Sequence, residues 1–273
     1  MGCMVFWAAM PATAENPMCD FRSAWRGEQV VGYVPNVHLC LEAPHSEVWF
    51  DEAVERDIFE RVNAARKEAG VPPLQYRAAL LMPARIHSLD MAHEDFFDHQ
   101  GPDGREVKAR VAALDRHLVF SEIRENIAAI GGDIKFNMAG KILHTQLFNS
   151  DGHRQNMLAP NLTHMAIGLA RTDRGAWVTQ VFVREEGELI APLPLRLDTS
   201  VQAVPQADLK AWKASGISLR NVEGREQAYE LFEPYLLEDL DLVVLGVKEL
   251  DGQILSGIKL FGPSVSVEPA LEK

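Results

Sequence analysis

The sequence has no apolar run approaching the ~20 residues that a membrane-crossing helix requires. It has no basic excess either. Lys and Arg number 27 against 39 Asp and Glu, a formal net charge of −12, and neutralising nucleic-acid phosphates needs the opposite sign. Cysteine is scarce: the chain holds 3, none at C-x-x-C spacing, which argues against a zinc ribbon. No internal repeat or low-complexity segment is present. No G-x-S-x-G, H-E-x-x-H or suitably placed Cys/His pair points to an enzyme class. What is there is a globular mix, 47% apolar and 24% charged, which excludes a disordered chain, a collagen and a disulfide-packed mini-protein. The 273 residues correspond to about two domains.

Met1 to Met10 is short and apolar, and Ala12-Thr13-Ala14 has the small-x-small form of a signal-peptidase site. Residues 1–14 are therefore expected to be a signal segment, although a basic n-region is missing; the alternative is an ordinary buried segment. With Cys3 removed, Cys19 and Cys40 form an even pair. Bridged in an oxidising compartment, such a loop is worth about 3 kcal/mol; unbridged, the two are buried thiols of a cytosolic protein. Residues 15–50 are expected to be an irregular N-terminal extension.

Val54, Ile58, Val62, Ala65 and Ala69 recur at helical spacing behind Asp51 and Glu52, and Gly70 with Pro72-Pro73 ends that helix. Leu80, Ala84, His87 and Met91 predict a second helix, with Pro83 in its first turn or at a kink, because an interior Pro costs about 3 kcal/mol. Shorter helices are expected over 103–114 and 136–148. Met165, Ile167 and Leu169 alternate, as do Val178, Gln180 and Phe182, and the turn-like 171–175 between them predicts a β-hairpin. Asp251-Gly252 predicts a second hairpin between 240–250 and 253–261. Leu195, Leu197, Val201 and Val204 suggest a further strand. The organisation expected is α+β over 51–188 and a smaller β-rich domain over 189–273.

Three patches hold the residues suited to chemistry: 96–104 with His99, 124–128 with Glu125 and Asn126, and 149–158 with Ser150, His153 and Arg154. Each reads as turn residues at the end of a predicted helix, where sites concentrate. His87 and Met91 read as core, Asp90 as a brace for its helix, and Trp177 as packing. His93 reads as a dipole partner at a helix end. His144 and His164 have no evident partner.

These patches, with Val62-Asn63-Ala64-Ala65-Arg66, Gly70-Val71-Pro72-Pro73-Leu74, Ala84 to Met91, Ile167-Gly168-Leu169 and Trp177 to Phe182, resemble the CAP superfamily of cysteine-rich secretory, antigen 5 and pathogenesis-related proteins, in its bacterial SCP-like extracellular branch. The resemblance spans about residues 52–184. It implies a three-layer α-β-α sandwich, secretion or a periplasmic location, and a cavity lined by two histidines and acidic side chains. His99 and His153 match the histidines and Glu125 the glutamate. Ser150 stands where many members have an acid, and Leu147 or Phe148 where they have Trp.

His99 and His153 are accordingly candidate ligands for zinc or another divalent cation, with Glu125, Ser150, Asn126 and Arg154 around them. Two neutral imidazoles and a carboxylate suit zinc, which would lower the pKa of a bound water to about 7. The bland alternative is a polar network that ties the loops together. The expected function is non-enzymatic binding of a divalent cation or of a small-molecule, lipid or cell-envelope ligand. The alternatives are a metal-dependent hydrolase acting on peptide, ester or cell-wall material through Glu125, and a structural envelope module with a vestigial cavity. A lone Glu125 would have to serve as acid and base in turn, which favours binding.

Overall fold

Asp51 accepts a hydrogen bond from the Val54 amide at 3.2 Å and so caps the helix Glu52–Glu68, α2. Acidic Glu52 and Glu55 occupy its first turn and basic Arg66 and Lys67 its last, as the helix dipole favours. Its end is a Schellman turn: the Gly70 amide (φ 72°) donates to Lys67 O and the Val71 amide to Arg66 O. The computed structural model describes residues 19, 29–43, 47–94, 96–132, 138–197, 204–229 and 238–267. The expected signal segment 1–14 lies outside them.

In chain order the elements around α2 are helix α1 (Val30–Glu42), strand β1 (Trp49–Phe50), β2 (Gln75–Tyr76), helix α3 (Leu81–Glu94), α4 (Val107–Leu114), β3 (Leu118–Gly131), α5 (Ala139–Asn149), α6 (Asp151–Leu158), β4 (His164–Thr172) and β5 (Gly175–Leu189). Pro83 falls in the first turn of α3, where its missing amide costs nothing. The C-terminal strands are β6 (Arg196–Leu197), β7 (Ala207–Leu209), β8 (Lys213–Arg220), β9 (Glu226–Ala228), β10 (Glu238–Leu250) and β11 (Gln253–Val267). The strand suggested from 195 to 204 is seen only as β6; residues 198–203 lie outside the described residues. Asp251 and Gly252 turn the β10–β11 hairpin with φ 51° and 78°, the type I′ geometry their sequence predicts.

Among the described residues the strands form one sheet in the order β1-β4-β5-β3-β11-β10-β8-β9. Alternation along β4 assigns its faces. Met165, Ile167 and Leu169 join Ile58, Val62, Leu143 and Met157 from α2, α5 and α6. Ala166 joins Ala84 and Val111 from α3 and α4 on the other face. The result is the expected α-β-α sandwich. The C-terminal strands, β-rich as expected, close over a cluster of Leu240, Leu242, Val244, Leu260 and Val265 that Val119 of β3 and Leu189 of β5 join.

Residues expected to be irregular contain a helix. In α1, Val30, Tyr33, Val34, Val37 and Cys40 are buried at helical spacing against Ile86, Leu89 and Ala113. Gly32 and exposed Pro35, both poor helix residues, obscure that period in the sequence. Cys19 and Cys40 are disulfide-bonded. The α1 N-terminus is capped from the far end of the chain. Asp239 accepts from the Val30 amide at 2.9 Å and Ser266 Oγ from the Val31 amide at 3.0 Å.

The family motifs find structural reasons. Asn63 pairs with the Leu74 backbone as a strand would, through Leu74 N to Oδ1 at 2.8 Å and Nδ2 to Leu74 O at 3.0 Å. Fully buried Arg66 donates to the carbonyls of Pro72, Met157 and Ala159, fastening α2 to the end of α6. A Cβ on Gly168 would stand 2.3 Å from the Ala84 backbone, so only glycine lets α3 lie this close to β4.

Candidate functional site

The three patches converge at one edge of the sheet, though two differ from the expected turns. Glu125 and Asn126 lie in the middle of β3 and patch 149–158 is mostly helix α6. β3 and β11 meet only at Phe120 and Phe261, so the later residues of β3 have no strand partner on that side among the described residues. The site straddles this edge. Glu125 faces the α3/α4 layer, and Asn126, alternating, faces α6.

Glu125 is buried and both its oxygens are occupied. His99 Nδ1 lies 2.8 Å from Oε1 and donates to it. Arg110 Nη2 donates to Oε2 at 2.5 Å. Burial pushes the Glu125 carboxyl up, but the His99 hydrogen bond and the Arg110 charge outweigh it and hold it below the ordinary range. Arg110 also donates to the carbonyls of His99 (3.1 Å) and Arg105 (2.6 Å), so one guanidinium fixes the loop that carries His99. That loop leans on α1, where the Arg105 guanidinium lies 3.9 Å from the centre of the Tyr33 ring.

The histidines differ. His99 is about half exposed (53% of its side chain), and the hydrogen bond to Glu125 raises its pKa. Its Nε2 has no hydrogen-bond partner among the described residues. The His153 ring likewise makes no hydrogen bond there; burial first and the His99 charge second lower its pKa. His87, read as core, is buried 4.0 Å from Glu125 Oε1, and its Nε2 donates to Asp98 O at 2.9 Å. Burial and then the Arg110 charge push it down to about 3, so it stays neutral.

Asn126 braces the other side. Its Nδ2 donates to His153 O (3.1 Å) and Gln180 Oε1 (3.0 Å), while Asn156 Nδ2 donates to Asn126 Oδ1 (2.9 Å) and to Glu125 O (3.2 Å). Ser150 sits at the α5–α6 junction and makes no side-chain cap. Arg154 donates to Phe148 O at 3.0 Å and pairs with Asp151, so its guanidinium is used between the end of α5 and the start of α6. His144 stacks on Phe148 and His164 contacts Thr163 and Glu185, away from the cleft. Trp177 packs with the α1/α3 cluster. Sequence reasoning missed Arg110, which carries no motif, and assigned no role to Asn156 or Gln180, although both lie in the segments it quoted.

No group of three His, Cys, Asp or Glu side chains forms a ligand set among the described residues. Glu125 is committed to Arg110 and His99, leaving two imidazoles. A zinc centre with three protein ligands does not fit this donor set.

Residues 59–182 match the family model described as the cysteine-rich secretory protein family, CAP. This segment of the chain is a CAP domain, as the motifs indicated. The chain is 32% identical over 131 residues to Bacillus subtilis YkwD, covering 48% of this chain and 47% of that protein, described as uncharacterized. It is 28% identical over 130 residues to the B. subtilis membrane protein YlbC, covering 48% and 34%. The chain thus spans less than half the length of these curated relatives. Among solved structures, an extracellular SCP-domain protein of Bacillus anthracis is 26% identical with a TM-score of 0.42, over 49% of this chain and 41% of that one. An outer surface protein of Borrelia burgdorferi is 16% identical with a TM-score of 0.42, over 49% and 93%. No described helix is long and apolar enough to cross a membrane.

Proposed function

We propose that this chain is a secreted or periplasmic CAP-domain protein that binds a ligand between His99 and His153 and does not turn it over. The observation that carries the reading is the saturation of Glu125. A carboxylate buried, deprotonated and bonded at both oxygens is a fixed orienting group rather than a base that must gain and lose a proton. It holds His99 through Nδ1, the outer-shell arrangement that presents the other ring nitrogen to a partner. His99 Nε2 and the His153 ring are then the groups left to meet a polar atom of a small or lipidic ligand. A divalent cation in the cleft would have only the two imidazoles as protein ligands and would be held weakly. The Cys19–Cys40 bridge supports secretion, because such bonds persist in oxidising compartments.

The test is metal analysis of the purified protein before and after zinc titration, repeated with His99→Ala and His153→Ala. Weak zinc uptake lost in both variants is the expected result; no uptake overturns the cation part. Hydrolysis of a model ester or peptide that disappears in Glu125→Ala would overturn the non-enzymatic part.

A further inference from the structure

A second cavity, of about 480 Å³, opens away from the histidines at the outer edge of β4. The odd-numbered residues of β4 turn their backbone groups to this edge. Met165 O accepts from Arg77 N at 3.2 Å and Leu169 N donates to Glu55 Oε1 at 3.0 Å. β2 covers the edge at His164–Met165 and β1 at Ala170–Arg171, and the cavity opens between them, beside Ile167. α2 and α3, which belong to opposite layers, wrap around this edge and supply its walls. The volume falls within the range of small-molecule sites, which combine apolar walls with a few convergent polar groups.

Its apolar lining is Phe59, Tyr76, Leu81 and Ile167. The Phe59 and Tyr76 rings stand nearly perpendicular, 77° at 6.0 Å between centroids, and Tyr76 is 53% exposed. They form an aromatic corner at the cavity: Tyr76 is exposed, and Phe59 is half-buried against the core beneath α2. Three carboxylates and two guanidiniums border it: Glu52, Glu55, Glu60, Arg56 and Arg85. Arg85 is spent, since its Nε and Nη2 bind the two oxygens of Glu55 at 2.9 and 2.7 Å. Glu52 is 74% exposed and only grazes Arg85 at 3.4 Å. Glu60 and Arg56 make no ion pair among the described residues, so with Glu55 and Arg85 matched the lining keeps two carboxylates against one guanidinium. The phenol of Tyr76 reports the local sign: burial raises its pKa first, the Glu55 charge second, and Arg85 opposes with less effect.

We propose that this cavity binds a small organic cation: an ammonium group carried on an apolar body, the cation against the Tyr76/Phe59 corner on the side of Glu52 and Glu60, the body on Leu81 and Ile167. Aromatic faces attract cations through their quadrupole, and the one surplus negative charge of the lining adds to it while opposing an anion of the same shape. The site is independent of the His99/His153 cleft and does not rest on its function.

The test titrates the full chain with benzyltrimethylammonium and, separately, with benzoate, following amide shifts by NMR. Saturable binding of benzyltrimethylammonium at millimolar concentration, with benzoate at least about tenfold weaker, is expected. Tyr76→Ala should weaken the cation at least about fivefold. The Glu52→Gln/Glu60→Gln pair, which leaves the apolar lining in place, should do the same, and His99→Ala should change nothing. Equal binding of benzoate, an unchanged affinity in both sets of cavity variants, or no saturable shift would overturn the proposal.

Discussion

Arg110 Nη2 lies 2.5 Å from Glu125 Oε2, and neither side chain is more than 3% exposed. Removing one partner of a buried pair leaves an uncompensated charge and costs about 3–5 kcal/mol. Arg110→Met should lose stability of that order in urea denaturation. Adding Glu125→Gln should recover part of the loss, because the two sites are coupled. A loss below about 1 kcal/mol would show that Arg110 does not hold the cleft together.

The pH dependence of the cleft follows from the opposite shifts of His99 and Glu125. The folded pKa of His99 is raised, so its share of stability is complete below its unfolded value of about 6.5 and is lost as pH rises through the folded value. Glu125 is lowered, so its share is present above its unfolded value of about 4.3 and is lost as pH falls through the folded one. In metal-free protein, NMR should find His99 titrating above its ordinary value, His153 below its own, and His87 neutral throughout. Glu125→Gln should bring His99 down. Finding His99 below His153 in the wild type would refute the pairing.

The cap on α1 predicts a cost at a residue far from that helix in sequence. Asp239→Ala removes the acceptor for the Val30 amide. It should lower stability by about 1–2 kcal/mol, the range for a lost N-cap, and speed hydrogen exchange in the first turn of α1. Unchanged exchange there would mean that Asp239 does not cap it.

Much of the sandwich was legible because local rules agree with it. The capped, dipole-matched α2, the Pro83 position and the Asp251-Gly252 hairpin all follow from residue chemistry within a few positions. β3 was missed because it mixes buried charge with apolar residues, and Glu125, Asn126 and Arg124 read as a turn when seen without their partners. α1 was missed because Gly32 and Pro35 hide a sound apolar period. Within the site, His99, Glu125 and His153 could be named from motifs. Arg110 could not, since its importance lies in contacts with Glu125, His99 and Arg105 that only the fold creates. Arg154 shows the converse: its place beside His153 suggested the cleft, and its guanidinium serves Phe148 and Asp151 instead.

The amides that begin α1 find their acceptors 209 and 235 residues later in the chain. A ribosome therefore releases α1 long before the strands that finish it exist. Contacts at such separation carry the full loop-closure cost and belong to the slow end of folding. The disulfide can anchor the C-terminal end of α1 through Cys40 early, but its first turn waits for β10 and β11. α1 is thus made well before the residues that seal its first turn.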